Sequence, residues 1–182
     1  MKTLKIVIFL FLASMLASCD PLYSIYFVNR YDKNVYVEYY VSNYPDTTLL
    51  GTGCVYNPAT QSHDTAHIYE TIGRLPDFFY YGGTRVDTVS FFIFDSDSVD
   101  YYSWDTVVKK NMVLQRYDLS MFDLENLMVG KGSSMLHFPP TEQMKHIHMW
   151  PPYGTYDENR NIIEDKSVIS DNKRRTNNTF FP

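Results

Sequence analysis

The run Thr88-Val89-Ser90-Phe91-Phe92-Ile93-Phe94 is apolar on both of its alternating faces. A strand of that kind belongs in the middle of a sheet, where both faces are covered. Its neighbours are to be sought among segments with a period of two. In 34–42, Val35, Val37, Tyr39 and Val41 share one face, while Tyr36, Glu38, Tyr40 and Ser42 share the other. That alternation is the pattern of a half-buried strand. Residues 24–29 are strand-like as well, and the turn-rich Arg30-Tyr31-Asp32-Lys33 predicts a hairpin between the two runs. Shorter strands are expected around 49–56, 66–71, 112–117 and 134–138, the last of them closing the fold. With 16 Tyr and 12 Phe in 182 residues, the chain is rich in side chains that pack well on a pleated surface.

Helical signals are confined to short stretches. Ser103 is placed to cap a helix that turns Trp104, Val107 and Val108 inward, with Lys109 and Lys110 at its negative C-terminal end. Ser120 has an acid, Asp123, three positions on, and Leu119 and Leu124 are spaced for a hydrophobic staple. Thr141 can cap one more turn before Trp150-Pro151-Pro152 ends it. The expected fold is mainly β: an antiparallel β-sandwich with two or three short helices in the C-terminal half. It forms a single domain over 19–156. Residues 157–182 are densely charged, Asn-rich and without apolar period, and predict a mobile tail.

The first 18 residues read as an export signal. Lys2 and Lys5 precede an uncharged apolar run over 6–16, followed by small residues. The run is shorter than the roughly 20 residues needed to cross a bilayer. Its ending, Leu16-Ala17-Ser18-Cys19, resembles the lipobox of bacterial lipoproteins. That resemblance implies cleavage before Cys19 and acylation of its thiol and amino group, which anchors a chain to a membrane. The implied location is the cell envelope, at the outer membrane. With Cys19 lipidated, Cys54 has no partner in the chain, so the fold rests on its core and Cys54 is expected to be a small buried residue. The net charge of −5 argues against a nucleic-acid partner.

Two stretches are familiar: Asn43-Tyr44-Pro45-Asp46-Thr47, and Tyr102-Ser103-Trp104-Asp105 continuing through Leu114-Gln115-Arg116-Tyr117-Asp118-Leu119-Ser120 to Asp123-Leu124. Both resemble a family of small lipoproteins of anaerobic gut Gram-negative bacteria. The resemblance spans residues 19–156 and implies an envelope location and a β-rich fold. It supplies no catalytic residues.

Candidate chemistry is sparse. His63-Asp64-Thr65-Ala66-His67, with Glu70 beyond, would mimic a zinc protease motif if helical. Asp64 is a methylene shorter than the usual Glu, and the flanking 58–62 lacks helical periodicity. His146 and His148 would share a face of a locally extended segment, within reach of His137 if the fold brings it there. No metal and no cofactor are expected, and no nucleophile elbow, phosphate loop or Cys-x-x-Cys pair occurs. Phe78-Phe79-Tyr80-Tyr81 lies in a stretch broken by Gly and Pro and predicts an exposed aromatic surface for a glycan or peptide. Asp followed by Thr or Ser and then an aliphatic residue or Thr resembles an O-glycosylation sequon of the same bacteria. It recurs at Thr47, Thr65, Thr88, Ser98 and Thr106, and Thr47, Thr65 and Ser98 are the expected sites because they read as turn or loop. The expected role is a non-enzymatic structural or assembly subunit of the envelope. The alternatives are an aromatic glycan- or peptide-binding module and a metal-dependent hydrolase.

Overall fold

The computed structural model describes residues 22–41, 59–72, 75–81, 83–130 and 132–155, with backbone only at 71, 72 and 81. The predicted strands over 49–56, Cys54, the leader and the tail lie outside the described residues. Nine strands are described: β1 (Leu22–Asn29), β2 (Val35–Val41), β3 (Thr65–Ile72), β4 (Tyr80–Tyr81), β5 (Thr84–Arg85), β6 (Val89–Asp95), β7 (Val113–Leu119), β8 (Ser133–Phe138) and β9 (His148–Trp150). Between them run the helices α1 (Leu75–Phe78), α2 (Ser96–Tyr101), α3 (Trp104–Lys109) and α4 (Met121–Asn126), and a 3₁₀ turn over Glu142–Met144.

Two sheets pack face to face, one in the order β3-β1-β8 and the other in the order β2-β6-β7-β9; β4 and β5 form a small ribbon. The interior joins Tyr23, Ile25, Phe27, Leu136 and Phe138 of the first sheet to Val35, Val37, Phe91, Ile93, Tyr117 and Leu119 of the second. The chain is therefore the β-rich sandwich its alternation predicts.

β6 lies between β2 and β7, and each of its faces is covered by a different layer. Val89, Phe91 and Ile93 enter the inter-sheet core. Phe92 and Phe94 point the other way and pack with Val107, Val113 and Trp104, under α3. The double-faced apolar run thus needs the helices as a third layer. α2 also begins on a sequence signal: Asp95 caps it by accepting from the Ser98 amide at 3.3 Å.

Three features depart from expectation. β1 and β2 do not form a hairpin; they belong to different sheets. The cause is Asn29, which is fully buried. Its Nδ2 group donates to the carbonyls of Lys33 (2.8 Å), Gln61 (3.0 Å) and Thr60 (3.2 Å), and its Oδ1 accepts from the Tyr31 amide (3.0 Å). These bonds hold residues 30–34 as a corner that carries the chain from one sheet to the other. Second, the β1–β8 pair is parallel whereas the other pairs are antiparallel. Third, β8 is not the last strand; β9 follows it and extends the second sheet alongside β7.

Of the predicted caps, Ser120 is realised in full. Its Oγ accepts from the Asp123 amide (3.2 Å), and Asp123 Oδ2 accepts from the Ser120 amide (2.8 Å). Ser103 sits at the N-cap of α3, but its hydroxyl turns to Thr106 Oγ1 at 2.9 Å instead of the backbone.

Candidate functional site

The aromatic surface predicted at 78–81 is not assembled. α1 is a single turn that rolls Leu75 and Phe78 into the core, and Phe79 is buried beside them. Phe78 packs against Tyr69 with the rings tilted and centroids 4.2 Å apart, and meets Phe79 edge-on at 5.7 Å. The apolar area gained by burying two Phe rings outweighs leaving them in water, and one helical turn suffices to do it. Tyr80 alone of the first three is exposed; Tyr81 pairs through its backbone with Thr84.

The histidines are dispersed. His63 occupies a left-handed turn (φ 56) with Nε2 3.4 Å from Asp32, and His67 lies on β3 against Tyr26 and Glu70. The spacing therefore falls on a turn and a strand, which separates the imidazoles that a helix would align. His137 is on β8 in one sheet, His148 on β9 in the other, and His146 is exposed just before β9. Among the described residues no group of three or more His, Cys, Asp or Glu is placed to hold a metal ion. Thr65 is exposed at the start of β3. Ser98 is half-buried within α2 and not in a loop, because the Asp95 cap starts a helix there. Thr47 and Cys19 fall outside the described residues.

A different constellation emerges on the outer face of the four-stranded sheet. Because Tyr117 and Met149 point into the core, their neighbours on β7 and β9 face outward. The register then sets two adjacent rows across the strands: Tyr40, Ser90, Asp118 and His148, and beside it Glu38, Phe92, Arg116 and Trp150. Asp118 is the hub. Its side chain is 8% exposed, and it accepts from Ser90 Oγ (2.6 Å) and Arg116 Nε (2.7 Å) on Oδ1 and from His148 Nδ1 (2.8 Å) on Oδ2. The Arg116 guanidinium also lies over the Phe92 ring, 5.5 Å from its centroid.

Burial by itself would push the Asp118 carboxyl up. The bonds from His148, Arg116 and Ser90 outweigh burial and hold it below the usual carboxylate value. The same bond raises His148 above the ordinary imidazole value, against the smaller opposing effects of burial and the Arg116 charge. An ionised Asp118 requires Nδ1 to carry the hydrogen, so Nε2 is the free nitrogen. It accepts a hydrogen bond when His148 is neutral and donates one when His148 is charged.

Ser, Asp and His meet here, but not as a nucleophile and its base. Ser90 Oγ donates to Asp118 and does not stand against His148. What the arrangement does is fix a guanidinium and an imidazole in register beside Trp150, which is half exposed. Two aligned donors and an aromatic edge suit an anionic group carried on a flat or apolar body. None of these residues carries a sequence motif. Arg116 and Asp118 do stand two apart in β7, the one local signal of an outward polar row. No family model matches the chain, and neither a curated protein nor a solved structure does.

Proposed function

We propose that this chain is a lipid-anchored protein of the bacterial cell envelope, held at the outer membrane through Cys19, and that it works by binding a partner rather than by catalysis. The register of Leu16-Ala17-Ser18-Cys19 behind an apolar run supports the anchor. The binding role is carried by one observation, the buried Asp118 that aligns Arg116 and His148 beside the half-exposed Trp150 at the β9 edge of the four-stranded sheet. The buried carboxylate accepts from three donors, and by doing so it holds the partly buried Arg116 and the exposed His148 in fixed positions next to each other. The partner is an envelope protein or glycan that presents an acidic group, which makes the chain a structural or recruiting subunit.

Affinity-capture from solubilised membranes, together with an array of acidic and neutral glycans, tests this. The wild type should capture an acidic ligand, and Arg116→Met and Trp150→Ala should each weaken capture tenfold or more, the order of one or two lost interface anchors. Equal capture by all three proteins would overturn the assignment of this face.

A further inference from the structure

The register of both sheets sends one set of strand ends to the same pole of the sandwich. β1 begins there at Leu22, β3 ends there at Ile72 and β8 begins there at Ser133; in the other sheet β2 and β7 end there and β6 begins there. The corner at Asn29 fixes the opposite pole, where β1 ends and β2 begins. α4 and the β4–β5 ribbon follow strands that end at the first pole.

Four of the seven exposed large apolar side chains among the described residues lie toward this pole, with Tyr101 and Tyr102 at the other and Trp150 on the sheet. Leu22 is 48% exposed, Val129 56%, Tyr80 54%, and Phe122, at the start of α4, 68%. Leu22 and Val129 flank the same stretch of backbone: Ser24 N donates to the Gly132 carbonyl (2.8 Å), and Val129 N donates to the Ser133 carbonyl (2.7 Å). Gly132, at φ +82, passes so close that a Cβ would stand 2.5 Å from the Leu22 carbonyl oxygen. Single exposed apolar residues need no explanation, but a set grouped at one tip does. The described charged residues toward this pole are mainly acidic (Asp77, Asp87, Asp123 and Glu125, with Arg85, and the paired Asp118 and Arg116 near the end of β7), which favours an uncharged apolar partner over an anionic one.

Cys19 precedes Leu22 by three positions, a reach of about 10 Å at most for an extended chain. An acyl anchor at Cys19 therefore brings this pole, and no other, to the bilayer. We infer that Leu22, Phe122 and Val129 form an apolar rim that inserts into the interfacial zone of the membrane, so that the sandwich stands end-on with a fixed orientation. The rim acts as a second membrane signal beside the acyl chains. This rests on the lipid-anchor reading, and the test separates the two.

The chain from residue 19 onward, with Cys54→Ala and a hexahistidine tag in place of Cys19, is tethered to phosphatidylcholine vesicles through nickel-chelating lipid. Single cysteines at Phe122→Cys, Val129→Cys and, at the other pole, Tyr101→Cys carry an environment-sensitive nitrobenzoxadiazole label. The labels at 122 and 129 should shift to the blue on tethering and be quenched by doxyl-labelled lipid, whereas the label at 101 should do neither. Replacing a third of the phosphatidylcholine with phosphatidylglycerol should leave the result unchanged. Labels at 122 and 129 that behave like the one at 101 would overturn the rim. Whether Cys19 bears lipid is read separately, from the intact mass of the protein purified from its own membranes. Because the tag supplies the tether, absence of that mass leaves the vesicle result standing.

Discussion

Asp118 gathers three donors on two oxygens, and His148 and His137 show what such partners are worth by contrast. His148 is raised by its bond to Asp118. His137 is lowered by burial and by the charge of Arg30, and its buried Nδ1 has no hydrogen-bond partner. A raised imidazole contributes stability in full below its unfolded value of about 6.5 and loses it as pH climbs through the folded value. A lowered imidazole does the reverse: its contribution is present above about 6.5 and is lost as pH falls toward the folded value. NMR titration of the imidazole resonances should place His148 above and His137 below that reference, and Asp118→Asn should lower His148 toward or past it. Coincident titrations would show that the Asp118 bond is not formed in solution. Ligand capture on this face should also strengthen as pH falls and Nε2 becomes a donor. The sequence showed His148 in an extended segment and the two-residue spacing of Arg116 and Asp118, but not the partnership. Ser90, Asp118 and His148 lie far apart along the chain, and only the strand register joins them. The aromatic run at 78–81 misled because hydrophobicity alone does not say which way a ring turns, and a one-turn helix turned two of the rings inward.

Elements were far more readable than the site, wherever the signal was local. The alternation of 34–42, the double-faced run at 89–94 and the Ser120–Asp123 cap each became the element they predicted, because pattern and packing asked for the same thing. The hairpin failed because its deciding residue, Asn29, acts through the carbonyls of Thr60 and Gln61, which no local pattern announces. The two helix caps offer a graded test. Ser120→Ala removes the hydroxyl that accepts from the Asp123 amide and donates to Asp123 Oδ2, leaves the backbone half of the box in place, and should cost about 0.5–2 kcal/mol in chemical denaturation. Ser103→Ala removes no bond to the backbone and should cost a few tenths of a kcal/mol, the scale of an ordinary surface change. Equal losses would mean that the Ser120 box contributes nothing beyond side-chain volume.

For the molecule as a whole, the C-terminal third completes both sheets at once. β8 closes one sheet and β9 the other, and Leu136, Phe138, Met144 and Met149 belong to the shared core. A chain ending at residue 132 should therefore lose cooperative thermal unfolding altogether, whereas one ending at 156 should melt like the full chain; calorimetry distinguishes them. Cys19→Ser should shift the protein from the membrane pellet to the soluble fraction with no change in the far-ultraviolet circular dichroism of the domain. A mutant that pellets as the wild type does would refute the anchor. The placement of β1 bears on one more property, its response to force. The first of the described strands is also the middle strand of its sheet, with β3 on one side and β8 on the other. Tension applied upstream of Leu22 runs along the axis of β1 and loads both ladders in shear, so their hydrogen bonds yield together. An edge strand of a hairpin pulled from its open end would instead unzip one bond at a time. A domain tethered at Cys19 and tugged by whatever the opposite sheet holds would thus resist through two hydrogen-bond ladders at once.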